Sequence, residues 1–171
     1  MQDEEQRSAL SGRLPAAAFE AVVRDAPLVS IDLIVRSPSN RILLGLRRNE
    51  PARGTWFVPG GRIYKDERLA DAFARTAREE LRAELAIHDA RFLGVFEHLY
   101  AENFAKRPGF GTHYVVLAFE VRVADLPDPL LQDQHDGFQW FTVGELLQSP
   151  AVHPYTRAYF SEGTGLQTVA G

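Results

Sequence analysis

The segment Pro59–Leu81, with the sequence PGGRIYKDERLADAFARTAREEL, decides which fold the chain is expected to have. A glycine pair opens it, which predicts a backbone with positive φ or close approach by a ligand. Asp66 and Glu67 follow, where acidic residues favour a helix N-terminus. Helical spacing then relates four apolar residues, Leu69, Phe73, Ala77 and Leu81. The segment therefore predicts a glycine turn followed by an amphipathic helix.

Glu80 is a carboxylate on the apolar face of this helix. With a helical step of about 100° per residue, it falls in the same arc as Leu69 and Phe73. A carboxylate within an apolar stripe is costly unless it is hydrogen-bonded, paired or bound to a cation. Glu79 and Arg75 lie together on the flank as a side-chain pair. Helices rich in Glu and Arg more often present a solvated face, but the glycine turn and Glu80 favour a ligand site.

The segment resembles the Nudix box, G-x5-E-x7-R-E-U-x-E-E-x-G-U, in which U is an aliphatic residue. The positions on its spacing are Gly61, Glu67, Arg75, Glu79 and Glu80. Two positions depart from it, because Thr76 replaces the first Glu after the arginine and Arg82 replaces the last glycine. The missing Glu belongs to the usual metal-binding cluster of the family. This departure weakens the case for the standard diphosphate-cleaving mechanism.

Composition favours a single soluble domain covering residues 1–171, with flexible tails at 1–13 and 163–171. Hydrophobic residues make up 45% and charged residues 25% of the chain, which is ordinary for a globular protein. A net charge of −4 gives no bulk electrostatic support for nucleic-acid binding. The absence of cysteine excludes disulfides and thiolate metal sites. Without a signal peptide or a membrane-spanning apolar run, a cytoplasmic location is the default expectation.

Hydrophobic periodicity predicts strands interleaved with helices, which is an α+β fold of the α/β/α sandwich type with a mixed β-sheet between helices. The predicted helices are Pro15–Asp25, the box helix, Val143–Gln148 and His153–Glu162. The predicted strands are Leu28–Val35, Ile42–Leu46, Thr55–Val58, one within Ile87–Tyr100, His113–Val123 and Phe138–Phe141. The polar segments 101–112 and 124–137 are predicted to be loops outside the core.

Several polar residues near the box suit phosphate chemistry. The Gly60 carbonyl and the Glu80 carboxylate are oxygen ligands, which suit a hard cation, Mg²⁺ first and Mn²⁺ second. Arg47 and Arg62 flank the glycine turn in sequence, and guanidinium groups recognise phosphate oxygens through paired donors. A single surface arginine is usually only solvated, so the position beside the box is what favours a role for each.

Gln134 and His135 are the most informative pair outside the box. A lone histidine is more often structural or exposed than catalytic. An imidazole on a predicted loop is nevertheless a suitable general base near neutral pH. Gln134 beside it offers one neutral oxygen ligand. A box that lacks one carboxylate needs a base from elsewhere in the chain, and His135 is the candidate.

Further segments resemble the GDP-mannose mannosyl hydrolase family over about Leu28–Phe160. They are LVSIDLIV, RILLGLRRNEPARGTWFVPGGRIYKDE, GVFEHLY, THYVVLAFEVRV and DQHDGFQWF. Members of this family also lack the first Glu after the box arginine, so Thr76 matches them. The resemblance implies Mg²⁺-dependent attack of water on the anomeric carbon of a GDP-hexose, with inversion and departure of GDP. It also implies a homodimer.

The same resemblance implies a role for each matching residue. His135 is the general base, and Arg47 and Arg62 stabilise the departing GDP. The implied Mg²⁺ ligands are Gly60 through its carbonyl, Glu80 and Gln134. The implied substrate-binding residues are Asp32, Arg47, Arg62, Arg75, His98 and Tyr114, of which Arg75 orients the box. Glu79 receives no firm role.

Three functions remain open from the sequence. The first is a GDP-hexose hydrolase that breaks the C–O bond, and Thr76 with the Gln134–His135 pair favours it. The second is a Nudix pyrophosphohydrolase that breaks the diphosphate of a nucleoside-diphosphate sugar. The third is a non-catalytic domain that senses a nucleotide sugar, which retention of Gly60, Glu80 and His135 disfavours. GDP-mannose, GDP-glucose and GDP-fucose differ by single hydroxyl groups, and the sequence neither ranks the first two nor excludes the third.

Overall fold

The computed structural model describes residues 14–124, 126 and 135–161, with His135 described by its backbone alone. The helices are α1 (Ala16–Asp25), α2 (Leu69–Leu81), α3 (Val143–Gln148) and α4 (Pro154–Ala158), with a 3₁₀ turn at Ile87–Asp89. The strands are β1 (Leu28–Arg36), β2 (Ile42–Arg47), β3 (Trp56–Phe57), β4 (Gly60–Arg62), β5 (Arg91–Tyr100), β6 (Thr112–Arg122) and β7 (His135–Phe141). No helix in this part of the chain is long and apolar enough to cross a membrane.

Seven strands form one mixed sheet. Its central path runs β3-β2-β1-β6-β5, while β4 pairs with β1 and β7 pairs with β2. The β1–β6 pair is parallel, and the β1–β2, β1–β4, β2–β3, β2–β7 and β5–β6 pairs are antiparallel. With helices flanking this sheet, the predicted α+β class and mixed sheet are confirmed.

Helix α2 packs its apolar stripe into one of two hydrophobic cores. Phe73, Ala77 and Leu81 are each 0% exposed, whereas Leu69 at the start of the helix is 40% exposed. Burying a side chain such as Phe73 or Leu81 contributes about 1.5–3 kcal/mol. The stripe was therefore predicted correctly at three of its four positions, and its first residue is too close to the helix end to reach the core.

Strand β1 feeds both cores because its side chains alternate between the two faces of the sheet. Ile31, Leu33 and Val35 join the core that contains α2, and Ile34 joins the core that contains α3. Asp32 interrupts this pattern with a carboxyl that is only 7% exposed. Antiparallel pairing sets Asp32 opposite Gly60 of β4, which brings the buried acid beside the glycine pair.

Two elements have boundaries that differ from the predicted ones. Strand β7 begins at His135 rather than Phe138, because its backbone pairs with Arg47 of β2. His135 therefore lies in a strand and not on the predicted 124–137 loop. Helix α4 covers only Pro154–Ala158 instead of His153–Glu162. Gln134 and the predicted tails at 1–13 and 163–171 lie outside the described residues.

The segment 101–112 contradicts its predicted place outside the core. Asn103 is 1% exposed, and its side chain donates hydrogen bonds to the carbonyls of Arg107 and Phe110 at 2.8 and 2.9 Å. Its amide oxygen accepts from the Arg107 N–H at 3.2 Å. Thr112, which already belongs to β6, donates to the Glu102 carbonyl at 2.8 Å. A single polar side chain thus organises the loop from within, which overall polarity does not reveal.

The end of α2 explains one departure from the box pattern. Arg82 is the C-cap residue and adopts a left-handed backbone with φ of 51°. Glycine is the usual residue at such a position because it carries no side chain to clash. The box glycine therefore corresponds to a backbone requirement, and this chain meets the requirement with an arginine.

Candidate active site

A cavity of about 330 Å³ lies where β1, β4, α2, β5 and β6 meet. Eight of the ten site residues predicted from the sequence line it: Asp32, Arg47, Gly60, Arg62, Arg75, Glu80, His98 and Tyr114. The other two are Gln134, which is outside the described residues, and His135, whose backbone pairs with Arg47. Residues from distant parts of the chain therefore converge on one cavity.

Close packing by the protein itself explains the glycine pair. A β-carbon on Gly60 would fall on Asp32 Oδ1 and lie 2.7 Å from the Ile31 carbonyl oxygen. One on Gly61 would lie 3.0 Å from Thr76 Oγ1. Neither glycine is among the positive-φ residues. The expected positive φ is therefore wrong, and close packing of β1 and α2 against β4 is what requires glycine at these two positions. Approach of a ligand to the pair stays a prediction, since both glycines line the cavity.

The Arg75 side chain connects helix α2 to strand β4 through hydrogen bonds. Its guanidinium donates to Glu67 at 2.7 and 2.8 Å, to Glu79 Oε2 at 3.0 Å and to the Arg62 carbonyl at 2.8 Å. Burial alone would raise the pKa of Glu67, but the hydrogen bonds from Arg75 and from the Tyr64 N–H hold that pKa below its usual value. Glu67 thus binds Arg75 and the Tyr64 N–H, and together with Asp66 it lies just before the N-terminus of α2, as expected.

Two buried carboxyl groups that line the cavity, those of Asp32 and Glu80, have pKa values well above the usual range of carboxylic acids. Burial raises the pKa of Glu80 to about 7, and the negative charges of Glu79 and Asp32 add to the rise while Arg47 opposes it. Burial likewise raises the pKa of Asp32 to about 7. Crowded carboxylates in a water-poor position favour a bound cation, because positive charge offsets both desolvation and mutual repulsion.

The oxygen donors around this position fit a hard divalent cation. Gly60 and Glu80 line the same cavity and offer a backbone carbonyl and a carboxylate. Such donors suit Mg²⁺ and Mn²⁺. Within the described residues no group of three or more His, Cys, Asp or Glu side chains could hold a metal ion. A metal site here therefore depends on a backbone oxygen and on neutral or water ligands as well as carboxylates.

Thr76 occupies the box position where the pattern has its first Glu after the arginine. It is 1% exposed, and its hydroxyl makes no hydrogen bond within the described part of the chain. Its side chain lines the cavity and packs against Gly61. The face of α2 that borders the cavity consequently carries one carboxylate fewer than the box pattern prescribes.

An aromatic network closes the opposite side of the cavity. The Tyr159 hydroxyl donates to Asp32 Oδ2 at 2.5 Å and lies 3.2 Å from His98 Nε2. Because the phenol gives its one proton to Asp32, His98 is the donor to the phenol oxygen. The His98 ring stacks on Tyr155 with centroids 4.3 Å apart. Burial, and then the charge of His153, lower the pKa of His98 to about 3, so this imidazole is neutral at pH 7.

Sequence reasoning missed the residues that hold the predicted ones in place. Tyr159 contacts Asp32 across 127 positions of chain, and no local pattern indicates that contact. Phe19 of α1 lies under the Arg62 guanidinium at 4.0 Å from the ring centroid. Tyr64 lies beneath Arg75 at the same distance. Tyr64 lies between the glycine pair and Glu67 in the box. Its aromatic side chain was the one feature of the sequence that could have indicated a partner for Arg75.

Comparison with known proteins identifies the class to which this site belongs. A family model described as the NUDIX domain matches residues 26–161. The chain therefore belongs to the Nudix family and is a Nudix hydrolase. Nudix hydrolases generally use divalent metals such as Mg²⁺, in agreement with the oxygen donors around Glu80.

Three known proteins illustrate what the chain is similar to. The low-salt glycan biosynthesis protein Agl8 of Haloferax volcanii is 42% identical over 151 residues, which cover 86% of this chain and 88% of that protein. The crystal structure of a MutT NUDIX hydrolase from Burkholderia pseudomallei matches 79% of this chain and 96% of its own, with a TM-score of 0.63 and 28% identity. A MutT protein from Methanosarcina mazei shares the fold at a TM-score of 0.62 and 21% identity, covering 80% of this chain and 92% of its own.

Proposed function

We propose that this Nudix hydrolase converts a GDP-hexose, GDP-mannose or GDP-glucose, to GDP and free hexose. Water attacks the anomeric carbon with inversion, so that the C–O bond breaks and the diphosphate stays intact. The protein acts with Mg²⁺ and as a homodimer. The observation that carries the proposal is Thr76, a buried and uncharged residue where a diphosphate-cleaving box has a glutamate. A box with fewer carboxylates is better suited to holding a leaving group than to activating water beside phosphorus.

The leaving group requires positive charge where GDP develops negative charge. Arg47 and Arg62 both line the cavity, and guanidinium groups stay charged while they bind phosphate oxygens. Gly60, Glu80 and Gln134 would hold Mg²⁺, which when bound neutralises charge on the diphosphate. Arg75 supports this end of the site by fixing the Arg62 carbonyl at 2.8 Å.

The hexose end requires hydrogen-bonding groups that are held in a defined orientation. Asp32, His98 and Tyr114 line the cavity beside the box. Tyr159 holds Asp32 and His98 in fixed relation, which suits recognition of sugar hydroxyl groups. A glycosyl centre with oxocarbenium character depends more on leaving-group stabilisation than on a strong nucleophile. The division between an end with arginines for the diphosphate and an end with hydrogen-bonding groups for the sugar therefore fits C–O cleavage.

The attacking water must lose a proton as its bond to carbon forms. His135 is the proposed acceptor of that proton. Its backbone pairs with Arg47, a cavity residue, and this pairing supports a position at the edge of the site. The 42% identity to a relative named for glycan biosynthesis independently supports a sugar-containing substrate.

Reaction in ¹⁸O-water tests which bond breaks. We expect the heavy isotope in the released hexose and unlabelled GDP. The alternative is a Nudix pyrophosphohydrolase, for which Glu79 beside Glu80 at the cavity is the supporting observation. That enzyme would place the label in a phosphate. Sedimentation of the full chain tests the homodimer, and a monomer at working concentration would contradict it.

His135→Gln tests the proposed base. We expect kcat to fall about 10²–10⁴-fold, which is the usual contribution of general base catalysis. Mg²⁺ and GDP affinities should stay unchanged because the substitution leaves the leaving-group end intact. The matched control is His88→Gln, since His88 is 80% exposed and does not line the active-site cavity. An unchanged rate in His135→Gln would exclude His135 as the base.

A further inference from the structure

A second cavity of about 700 Å³ adjoins the candidate active site. Phe19, Arg47, Pro51 and Tyr114 line both cavities, so the two spaces share one wall. Phe19 belongs to α1, which precedes the region that the family model matches. The second cavity is therefore built partly from chain outside the matched Nudix region.

Helix α1 and the loop 101–112 form an interlocked wall of this second cavity. The rings of Phe19 and Phe104 lie 4.7 Å apart between centroids at an angle of 34°. The Arg107 guanidinium contacts Glu20 Oε1 at 3.0 Å. Buried Asn103 anchors the loop from inside, one residue before Phe104. The wall is thus held by aromatic, ionic and hydrogen-bonded contacts together.

This wall presents an aromatic surface and a positive charge to the cavity. Phe104 lines the cavity and keeps 36% of its surface exposed. Lys106 also lines it, from a left-handed backbone with φ of 53° that side chains rarely adopt. Hydrogen bonds within the loop, including one from the Lys106 N–H to the Asn103 carbonyl, maintain this backbone conformation. Arg53 adds a second exposed cation from the opposite segment.

A half-buried carboxyl group, Glu50, completes the lining. Of the three arginines within three positions of it, Arg47 and Arg48 have other partners, whereas Arg53 lines the same cavity. Arg48 pairs with Asp136 at 2.9 Å, and Arg47 donates through Nε to the Pro51 carbonyl at 3.0 Å. The carboxylate therefore lies beside an aromatic surface and two exposed cations, which is a mixture of groups that suits a polar, planar ligand.

We propose that the second cavity binds the nucleobase of the substrate and that Glu50 selects guanine. The inference rests on the proposed function, in which the diphosphate and hexose occupy the first cavity. Guanine carries adjacent N1–H and N2–H donors that one carboxylate accepts together, and its O6 and N7 acceptors suit Lys106 and Arg53. Adenine presents an acceptor at N1, which a carboxylate repels. The base stacks on Phe104, as bases do on aromatic side chains in many nucleotide sites.

Calorimetric titration of the full chain with GDP, IDP and ADP in Mg²⁺ tests guanine selection without turnover. We expect GDP to bind about 10- to 100-fold more tightly than ADP, as hydrogen bonds to a charged group imply. IDP, which lacks the 2-amino group, should fall between them. Glu50→Gln should lower the GDP-to-ADP affinity ratio by about tenfold. Glu97→Gln is the matched control, because Glu97 is exposed and lines neither cavity.

Phe104→Ala tests the stacking surface separately. We expect GDP and ADP to lose affinity by the same factor, about tenfold, because stacking does not discriminate between bases. Phe92→Ala is its control, since Phe92 is 39% exposed and lies outside both cavities. Unchanged affinity for both nucleotides in Phe104→Ala would overturn the stacking role.

The experiment separates this proposal from the proposed function. An unchanged GDP-to-ADP ratio in Glu50→Gln overturns guanine selection, even if GDP-hexose is hydrolysed with label in the hexose. A collapsed ratio supports the base site, even if GDP-hexose proves not to be a substrate. Equal affinity of the wild-type protein for GDP and ADP also overturns guanine selection.

Discussion

Two walls of the candidate active site are built from different kinds of contact. The box wall consists of Gly60, Gly61, Glu67, Arg75, Glu79 and Glu80. The aromatic wall consists of Asp32, His98, Tyr155 and Tyr159. Contacts in the box wall join residues 4, 8 and 13 positions apart. Those in the aromatic wall span 56, 61 and 127 positions. A local motif therefore supplies one side of the site, and tertiary packing supplies the other.

The walls also differ in electrostatic character. Arg75 with Glu67 and Glu79 makes the box wall a network of charges. The aromatic wall centres on His98, which burial keeps neutral by lowering its pKa to about 3. One wall is thus suited to a charged diphosphate and the other to the hydroxyl groups of a sugar. Substitutions that affect one end of the substrate and not the other test this division.

Glu80→Gln should give the largest effect and reports on the box wall. We expect kcat to fall about 10³-fold, because metal-assisted charge stabilisation contributes several kcal/mol. Glu79→Gln is the matched control, and its more exposed carboxylate should matter far less. Melting without Mg²⁺ should show no loss of stability in Glu80→Gln, since the substitution removes a buried charge. Equal losses of activity in the two variants would indicate a joint carboxylate cluster and contradict the proposed C–O cleavage.

Tyr159→Phe is the corresponding test of the aromatic wall. It removes the hydroxyl that donates to Asp32 at 2.5 Å and leaves a buried carboxyl without that donor. We expect kcat/KM for GDP-hexose to fall about 10- to 100-fold, as loss of a hydrogen bond to a charged group implies. Affinity for GDP, which lacks the hexose, should not change. Tyr155→Phe is the control, because its hydroxyl bonds only the Leu99 backbone among the described residues. Similar losses of activity in both variants would assign the effect to general packing.

The contrast between the walls explains how much the sequence could predict. The box helix, the mixed sheet and eight residues lining the cavity follow from periodicity, motif spacing and family resemblance. Thr76 could be located because its neighbours in the motif fix its position. In such segments the residues that interact are also close in sequence, so a local pattern records their geometry.

The remaining features depend on contacts that no local pattern records. Tyr159 belongs to the site only because the chain returns to Asp32 after 127 residues. Strand β7 begins at His135 because β2 offers it a pairing edge. The 101–112 loop is ordered by buried Asn103, although its composition is polar. Periodicity indicates which faces are buried, whereas the partner of a buried polar group is decided by topology.

A double-mutant cycle on Arg75 and Glu67 should show a smaller effect, in stability. Their side chains are 17% and 14% exposed, so each substitution leaves a poorly solvated charge. We expect a coupling energy of about 1–3 kcal/mol from urea unfolding of Arg75→Met, Glu67→Gln and the double variant. The exposed Arg24–Asp25 pair is the control and should couple much more weakly. Equal coupling in the two pairs would show that the box network adds no stability beyond that of a surface ion pair.

The pH dependence of stability should give the smallest effect and isolates the aromatic wall. The pKa of His98 is lowered from 6.5 to about 3 in the folded protein, so below pH 6.5 the unfolded chain binds a proton that the folded chain does not. The contribution of His98 to stability therefore falls as pH drops, by at most about 1.4 kcal/mol per pH unit for one proton, whereas the raised pKa values of Asp32 and Glu80 act in the opposite sense. His98→Gln should remove this share of the slope in urea unfolding between about pH 5 and pH 7. Burial also lowers the pKa of His153, which leaves part of the slope in place.

His88→Gln, at an exposed site, should retain the wild-type slope. Parallel pH profiles for His98→Gln and wild type would mean that His98 takes up its proton in the folded state, and the aromatic wall would then not be the neutral surface described above.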